Sequence, residues 1–224
     1  MASINKLTLA EELLLITLDD ESGLLLDSIS PFKNHLAIAA SLIMELTLKG
    51  NIDLDAKKLF VVSSVETGIP ILDMALAEIV AEETPLVTTE WLKRFAKRGE
   101  DLSNQIIDSL VAKGIMEMVD RRLFWVLKTR SYSATSGIEE REVKSRIMFL
   151  LNSNEIPDPN DVLLVGLLKA VGIFNLLLSA SELARLQNRI DEIANLEEIN
   201  RSLSASIQEA WDFMIKQVKS YHNY

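Results

Sequence analysis

The stretch Asp161–Ser179 reads DVLLVGLLKAVGIFNLLLS, and from Val162 to Leu178 every residue except Lys169 and Asn175 is apolar or glycine. A helix apolar on all sides is either buried in a domain or crosses a bilayer. Crossing needs about 20 apolar residues, with about 17 as the floor. This run only meets that floor, carries a lysine near its middle and has no apolar flank to lengthen it. Its start is that of a helix in a soluble domain. Asp158 suits the N-cap, Pro159 the first helical position, and Asp161 places negative charge in the first turn. The expectation is one central core helix over Val162–Leu178. A membrane span and a partner-binding face are the alternatives.

Composition narrows the function classes. The chain has 224 residues, 48% of them hydrophobic, which suits one domain with a full core or two small ones. No linker or repeat divides it, so a single domain over 1–224 is expected. There is no cysteine, which removes disulfides and thiolate metal sites and fits a reducing compartment. The two histidines, His35 and His222, make no zinc site between them, and no metal or cofactor is expected. The N-terminus MASINKLTLAEE lacks a signal-peptide pattern. A net charge of −10 disfavours nonspecific nucleic-acid binding. The charge is uneven: residues 91–146 hold 12 of the 23 basic and 8 of the 33 acidic side chains, a local excess of +4. Either a basic face or an ordinary solvated surface accounts for that.

Periodicity and caps place the other elements. Leu7–Leu18 is an amphipathic helix with Thr8 and Glu11 as a capping box. Leu24–Ile29 is a short apolar segment, and Pro31–His35 is a loop or first turn. A strong helix covers Leu36–Lys49 and closes at Gly50. Ile52–Val65 leans to strand at Leu59–Val62. Helices follow at Ile71–Ala81, from Thr88 or Thr89 to Lys97, and at Leu102–Ala112. Ile115–Val119 and Leu123–Thr129 form a hairpin candidate turning at Asp120–Arg122. Ser136 and Glu139 suit another capping box, before a helix reaching Leu151. Ser179 and Glu182 suit one before Glu182–Leu196, and a last helix runs from Leu203 to Val218. The fold class is therefore all-α with a projecting β-hairpin.

The search for chemistry finds little. There is no glycine-rich phosphate loop and no nucleophile elbow. His35 lacks a catalytic context. The carboxylate pairs Glu11/Glu12, Asp19/Asp20 and Glu82/Glu83 are adjacent in sequence, so they point to different sides of a helix and read as helix-end electrostatics and solubility. No catalytic residue is assigned and no enzyme is expected. The helix over Leu102–Ala112 followed by the hairpin imitates a winged helix, with Arg121 and Arg122 at the wing tip. A DNA reader needs a basic recognition helix, and this one carries Asp101, Asp108 and no arginine.

Five blocks, in order and at plausible spacing, resemble the Golgi phosphoprotein 3 family. They are LTLAEELLLITLDDESG (Leu7–Gly23), LIMELTLKGNI (Leu42–Ile52), SLVAKGIMEMVDRRLFWVLKTRSY (Ser109–Tyr132), IEEREVKSRI (Ile138–Ile147) and IPDPNDVLLVGLLKAVGIF (Ile156–Phe174). The last three look most like bacterial members. The resemblance implies an all-α domain around the apolar helix, a hairpin after the Lys113-Gly114 turn, and no enzyme activity. It also implies peripheral binding of phosphatidylinositol 4-phosphate on membranes. Eukaryotic members use a Trp in the first loop, an Arg early in the second helix and an Arg-x-x-Arg pair on the helix before the KG turn.

Those four positions fall here on Ser30, Ala39, Glu100 and Ser103. The family's headgroup residues are therefore not retained. Local substitutes are Lys33 and His35 near the first loop, with Lys93, Arg94, Lys97 and Arg98 before Glu100. A phosphate is best held by converging cations. Arg121, Arg122, Phe124 and Trp125 are candidates for hairpin assembly or membrane contact; packing under the hairpin is the plainer reading of the two aromatics. The leading expectation is a cytoplasmic, non-enzymatic adaptor that binds an anionic phospholipid headgroup, a phosphoinositide among the candidates, at the membrane face. It would self-associate through its hairpin and bind no nucleic acid. A hairpin-assembled scaffold without lipid affinity and a winged-helix regulator are the rivals.

Overall fold

In the computed structural model the described residues are 7–18, 26, 29–55, 58–84, 86–123, 127–135 and 137–221. They form ten helices and two small antiparallel hairpins. Helix α1 (Leu9–Thr17) starts at the expected capping box: Thr8 Oγ1 accepts from Glu11 N–H, and the Glu11 carboxylate accepts from Thr8 N–H at 2.7 Å. Helix α2 (Pro31–Leu48) begins earlier than expected because Pro31 is pre-set for the first helical position. Lys33 and His35 thus lie in its first turns, not in a loop. It ends where Gly50 takes a left-handed φ of 73°.

Strands β1 (Ile52–Asp55) and β2 (Lys58–Val61) pair as a short hairpin, and helices α3 (Pro70–Val80), α4 (Thr88–Ala96) and α5 (Gly99–Ala112) follow. Strands β3 (Met116–Leu123) and β4 (Leu127–Ala134) come next, then α6 (Ile138–Asn152), α7 (Pro159–Ala170), α8 (Phe174–Leu177), α9 (Ala180–Ala194) and α10 (Glu198–Tyr221). Ser179 and Glu182 form the second expected capping box. Ser136 lies outside the described residues, and α6 follows Gly137 without a side-chain cap.

Two expectations need correction. The apolar run is not one helix. Helix α7 ends at Ala170, Gly172 adopts φ 78°, and the chain restarts as the one-turn α8. Glycine supplies the left-handed residue that closes a helix, which a count of apolar residues does not see. Asp161–Leu168 are all buried, whereas Asn175 and Leu176 are exposed. The second correction is the hairpin turn. Asp120, Arg121 and Arg122 lie in β3, paired with Arg130, Thr129 and Lys128, and the pairing continues to Leu123 opposite Leu127. Asp-Arg-Arg holds no residue suited to positive φ, so the tight turn expected there does not form.

The core lies between α2 and α7. Leu36–Ala40 and Leu42–Met44 of α2 are fully buried, and the helix packs on α1, α3, α4, α5, α7 and α10. Helix α7 packs on α1, α2, α9 and α10. No helix among the described residues is long and apolar enough to cross a membrane.

A buried ionic layer ties α1 to its neighbours. Glu11 accepts from Lys113 Nζ at 2.6 Å and Ser109 Oγ at 2.8 Å on α5. Glu12 accepts from Arg146 Nη2 at 2.7 Å, and Arg146 Nε donates to Asp161 on α7 at 2.6 Å. The two glutamates do point apart, but they are buried joints, not the solubility charges expected. Glu45 of α2 adds a cap, accepting from Leu9 N–H at 2.9 Å.

Burial holds the Glu45 carboxyl above its ordinary 4.5; Leu9 N–H and Lys49 pull it down, and Glu11 and Glu12 push it further up. The folded state binds this proton more tightly than the unfolded chain does. Its contribution to stability is therefore complete below about pH 4.5 and is lost as pH rises through the folded value. Glu45→Gln keeps an acceptor for Leu9 N–H, so urea midpoints should show the variant gaining on the parent at pH 7 and not at pH 4. An equal difference at both pH values would remove the argument.

Candidate anionic-headgroup site

The expected site residues sit on two helices that meet. Residues two apart on a helix face different sides, and Lys33 and His35 diverge accordingly. His35 lies against the start of α5, where a Cβ at Gly99 would fall 2.1 Å from the imidazole Cγ. Burial lowers its pKa, partly opposed by the Glu100 carboxylate. The imidazole thus fills the space above the α5 N-terminus, and glycine at 99 is what admits it. Lys33 turns the other way, its Nζ 4.9 Å from the centre of the Trp211 ring on α10.

The four cations of α4 and its link to α5, where Lys97 is the C-cap of α4 and Arg98 the N-cap of α5, do not converge. Arg94 pairs with Glu82 at 2.9 Å and Arg98 with Glu78 at 2.8 Å. Both glutamates belong to the α3 segment and its C-terminal edge, four residues apart, as the arginines are. The result is a two-rung ionic ladder from the α3 segment to Arg94 of α4 and Arg98 at the N-cap of α5. Arg94 also lies over Trp91, 4.5 Å from the ring centre. Lys93 pairs with Glu90 at 2.9 Å and lies 4.1 Å from the Phe213 ring centre. Lys97 is exposed and, among the described residues, has no carboxylate partner. Sequence spacing put these cations on one helix; it carried no sign of Glu78 and Glu82 facing them. The ladder was legible only as an i, i+4 match between two glutamates and two arginines.

The positions that carry headgroup residues in the relatives offer no cation. Ala39 is fully buried, Ser30 is half-buried and Glu100 is exposed. Ser103 Oγ donates to the Gly99 carbonyl at 2.7 Å. Among the described residues no group of three or more His, Asp or Glu is arranged to hold a metal ion.

The hairpin is set apart from the helices. It is anchored by buried Ile115 and Met116 and packs mainly on the end of α5, and Thr135 N–H donates to the Ile115 carbonyl at 2.9 Å. From Met116 to Ala134 the sequence has four basic residues, Arg121, Arg122, Lys128 and Arg130, against Glu117 and Asp120. Phe124 and Trp125 lie outside the described residues. Helix α5, the would-be recognition helix, carries Glu100, Asp101 and Asp108 and no basic residue.

Residues 9–211 match the sequence profile of the family described as Golgi phosphoprotein 3 (GPP34), which is nearly the whole chain. The chain belongs to that family. The hairpin after the Lys113-Gly114 turn and the apolar Val162–Phe174 segment, both quoted in the resemblance, are the projecting and the buried parts of this GPP34 member. No curated protein matches the chain.

Proposed function

We propose that this GPP34 member is a non-catalytic adaptor that docks peripherally, from the cytoplasmic side, on anionic phospholipid headgroups. The β3–β4 hairpin leads, and phosphoinositides are included in the headgroup class. The observation that supports this reading is the basic hairpin standing off α5 on a protein of net charge −10. A cation near an anionic leaflet contributes about 1 kcal/mol and fades within a Debye length of about 8–10 Å. Four cations offset by two acids give weak attachment, opposed by the acidic remainder. The α4 cations add less, because Lys93, Arg94 and Arg98 are already neutralised.

Co-sedimentation tests the reading with vesicles of phosphatidylcholine alone and with phosphatidylglycerol or phosphatidylinositol 4-phosphate added. Binding to the anionic vesicles should be detectable at low salt and largely lost near physiological ionic strength. Arg121→Glu with Arg122→Glu should abolish it, and Lys97→Glu should weaken it. Lys216→Glu with Lys219→Glu should leave it intact. Equal response of the hairpin and α10 pairs, or equal binding to neutral vesicles, would sink the headgroup reading.

A second reading has its own observation: the β3–β4 sheet has two strands, so both outer edges are open to strand pairing. Deleting Asp120–Val126 should then lower the mass seen by light scattering while leaving most of the far-UV helix signal. An unchanged mass and solubility would remove the assembly role.

A further inference from the structure

Among the residues whose burial is described, half-buried lysines and arginines follow a rule with one exception. Lys93, Arg94, Lys113, Arg146, Lys169 and Arg189 each reach a carboxylate within 3.0 Å, and Lys144 pairs with Glu140. Lys33 is half-buried too, yet among the described residues it has no carboxylate partner. Its ammonium rests on the Trp211 ring, which Phe32 backs with a 6.0 Å stacked contact. Asp212, the next residue along α10, accepts instead from Gln208 Nε2 at 2.9 Å. In a chain with 33 acidic side chains, a partly desolvated ammonium without a counter-charge is conspicuous.

That ammonium lies at the edge of a cavity of about 220 Å³ between α2, α7 and α10. Leu36, Val171, Ile207 and Trp211 give it apolar walls, and Lys33 and Gln208 supply its polar side chains. Ligand sites commonly combine such walls with a few placed polar groups. The volume is small for that class, so the ligand is small. The cavity is on the side of α2 opposite His35, Gly99 and Glu100, and it is remote in sequence from the hairpin.

We infer that the cavity between α2, α7 and α10 binds a small organic anion, a carboxylate or phosphate on a short apolar body. The anion pairs with Lys33 Nζ, and the apolar body lies against Ile207 and the indole of Trp211. The ligand supplies the counter-charge that every other described half-buried lysine or arginine receives from the protein. Trp211 holds the ammonium in place beforehand, so little side-chain freedom is lost on binding. The same chemistry is offered by a free metabolite and by the phosphate end of a lipid. The inference stands whether or not the hairpin binds membranes.

Hexanoate is a suitable probe, read by tryptophan fluorescence and by thermal shift on the full chain, with hexanol and hexylamine as controls. Hexanoate should bind saturably and raise the melting temperature, and the two controls should not. Lys33→Met should weaken hexanoate at least tenfold, Lys33→Arg should retain it, and Lys97→Met should not alter it. Ala170→Leu, which fills the cavity and leaves the cation in place, should abolish binding even if Lys33→Met folds poorly. Equal effects of hexanol and hexanoate, or hexanoate affinity unchanged in Lys33→Met or Ala170→Leu, would overturn the assignment. Once hexanoate binding is established, phosphatidylglycerol vesicles that displace it assign the site to a lipid. Vesicles that bind without displacing it assign the site to a soluble anion and leave the hairpin reading intact.

Discussion

Arg146→Met should lower the melting temperature by about 6–12 °C. The guanidinium joins Glu12 of α1 to Asp161 of α7 at 2.7 and 2.6 Å. Both carboxylates are largely buried, so removing the arginine takes from each the ion pair that joins three helices. Breaking a buried pair from one side costs about 3–5 kcal/mol. The arginine side chain itself is 34% exposed, and water reaching the site relieves part of that cost. About 3 kcal/mol remains, at about 2–4 °C per kcal/mol for a chain of this size. Arg146→Lys should fall between the two, since one ammonium cannot fork to both acids. Adding Glu12→Gln and Asp161→Asn to Arg146→Met should recover much of the loss. Calorimetry showing a drop of under about 2 °C for Arg146→Met would mean the layer is solvated.

Gly166→Ala should destabilise by about 3 kcal/mol, against the usual sign for this exchange, because alanine is favoured over glycine in a helix interior by about 1 kcal/mol. The reason is Asn200 of α10. A Cβ at position 166 would lie 2.3 Å from Asn200 Cγ and Nδ2 and 2.6 Å from Oδ1. Asn200 is buried and its Nδ2 donates to the Val162 carbonyl at 2.8 Å, so it has little room to move. Overpacking of this kind costs about 1–3 kcal/mol, and displacing the amide leaves buried polar groups unpaired at a similar cost. A double-mutant cycle checks the mechanism: Asn200→Ala should rescue part of Gly166→Ala, with a coupling above about 1 kcal/mol. Strict additivity would show that the close approach of α7 and α10 is not what Gly166 serves.

What the chain reveals before folding depends on how local the physics is. Caps are local, and Thr8 with Glu11, Asp158, and Ser179 with Glu182 all cap as expected. Burial of Val162–Leu168 follows from the absence of polar residues on any face. The break at Gly172 was hidden because glycine is equally at home in an apolar run and in a left-handed turn. The hairpin turn was misplaced because three charged residues look like a loop, whereas strand pairing carried them through. The candidate site was the least legible part. Whether Arg94 and Arg98 face solvent or glutamates depends on the packing of α3 against α4, which no spacing within α4 encodes. The sequence offers Lys33 only as a headgroup candidate near the first loop; Trp211, the ring its ammonium lies against, is far along the chain.

The left-handed bend at Gly172 also bears on the reach of the apolar segment. As one straight helix, the 17-residue run Val162–Leu178, interrupted by Lys169 and Asn175, would lie at the lower edge of the length that crosses a bilayer. With the bend, the rigid segment Pro159–Ala170 is only about 18 Å long, well short of the roughly 30 Å of hydrocarbon it would need to bridge. Gly172 then does more than close a helix. It leaves the most apolar part of the chain as two short helices, neither of which reaches across the hydrocarbon of a bilayer.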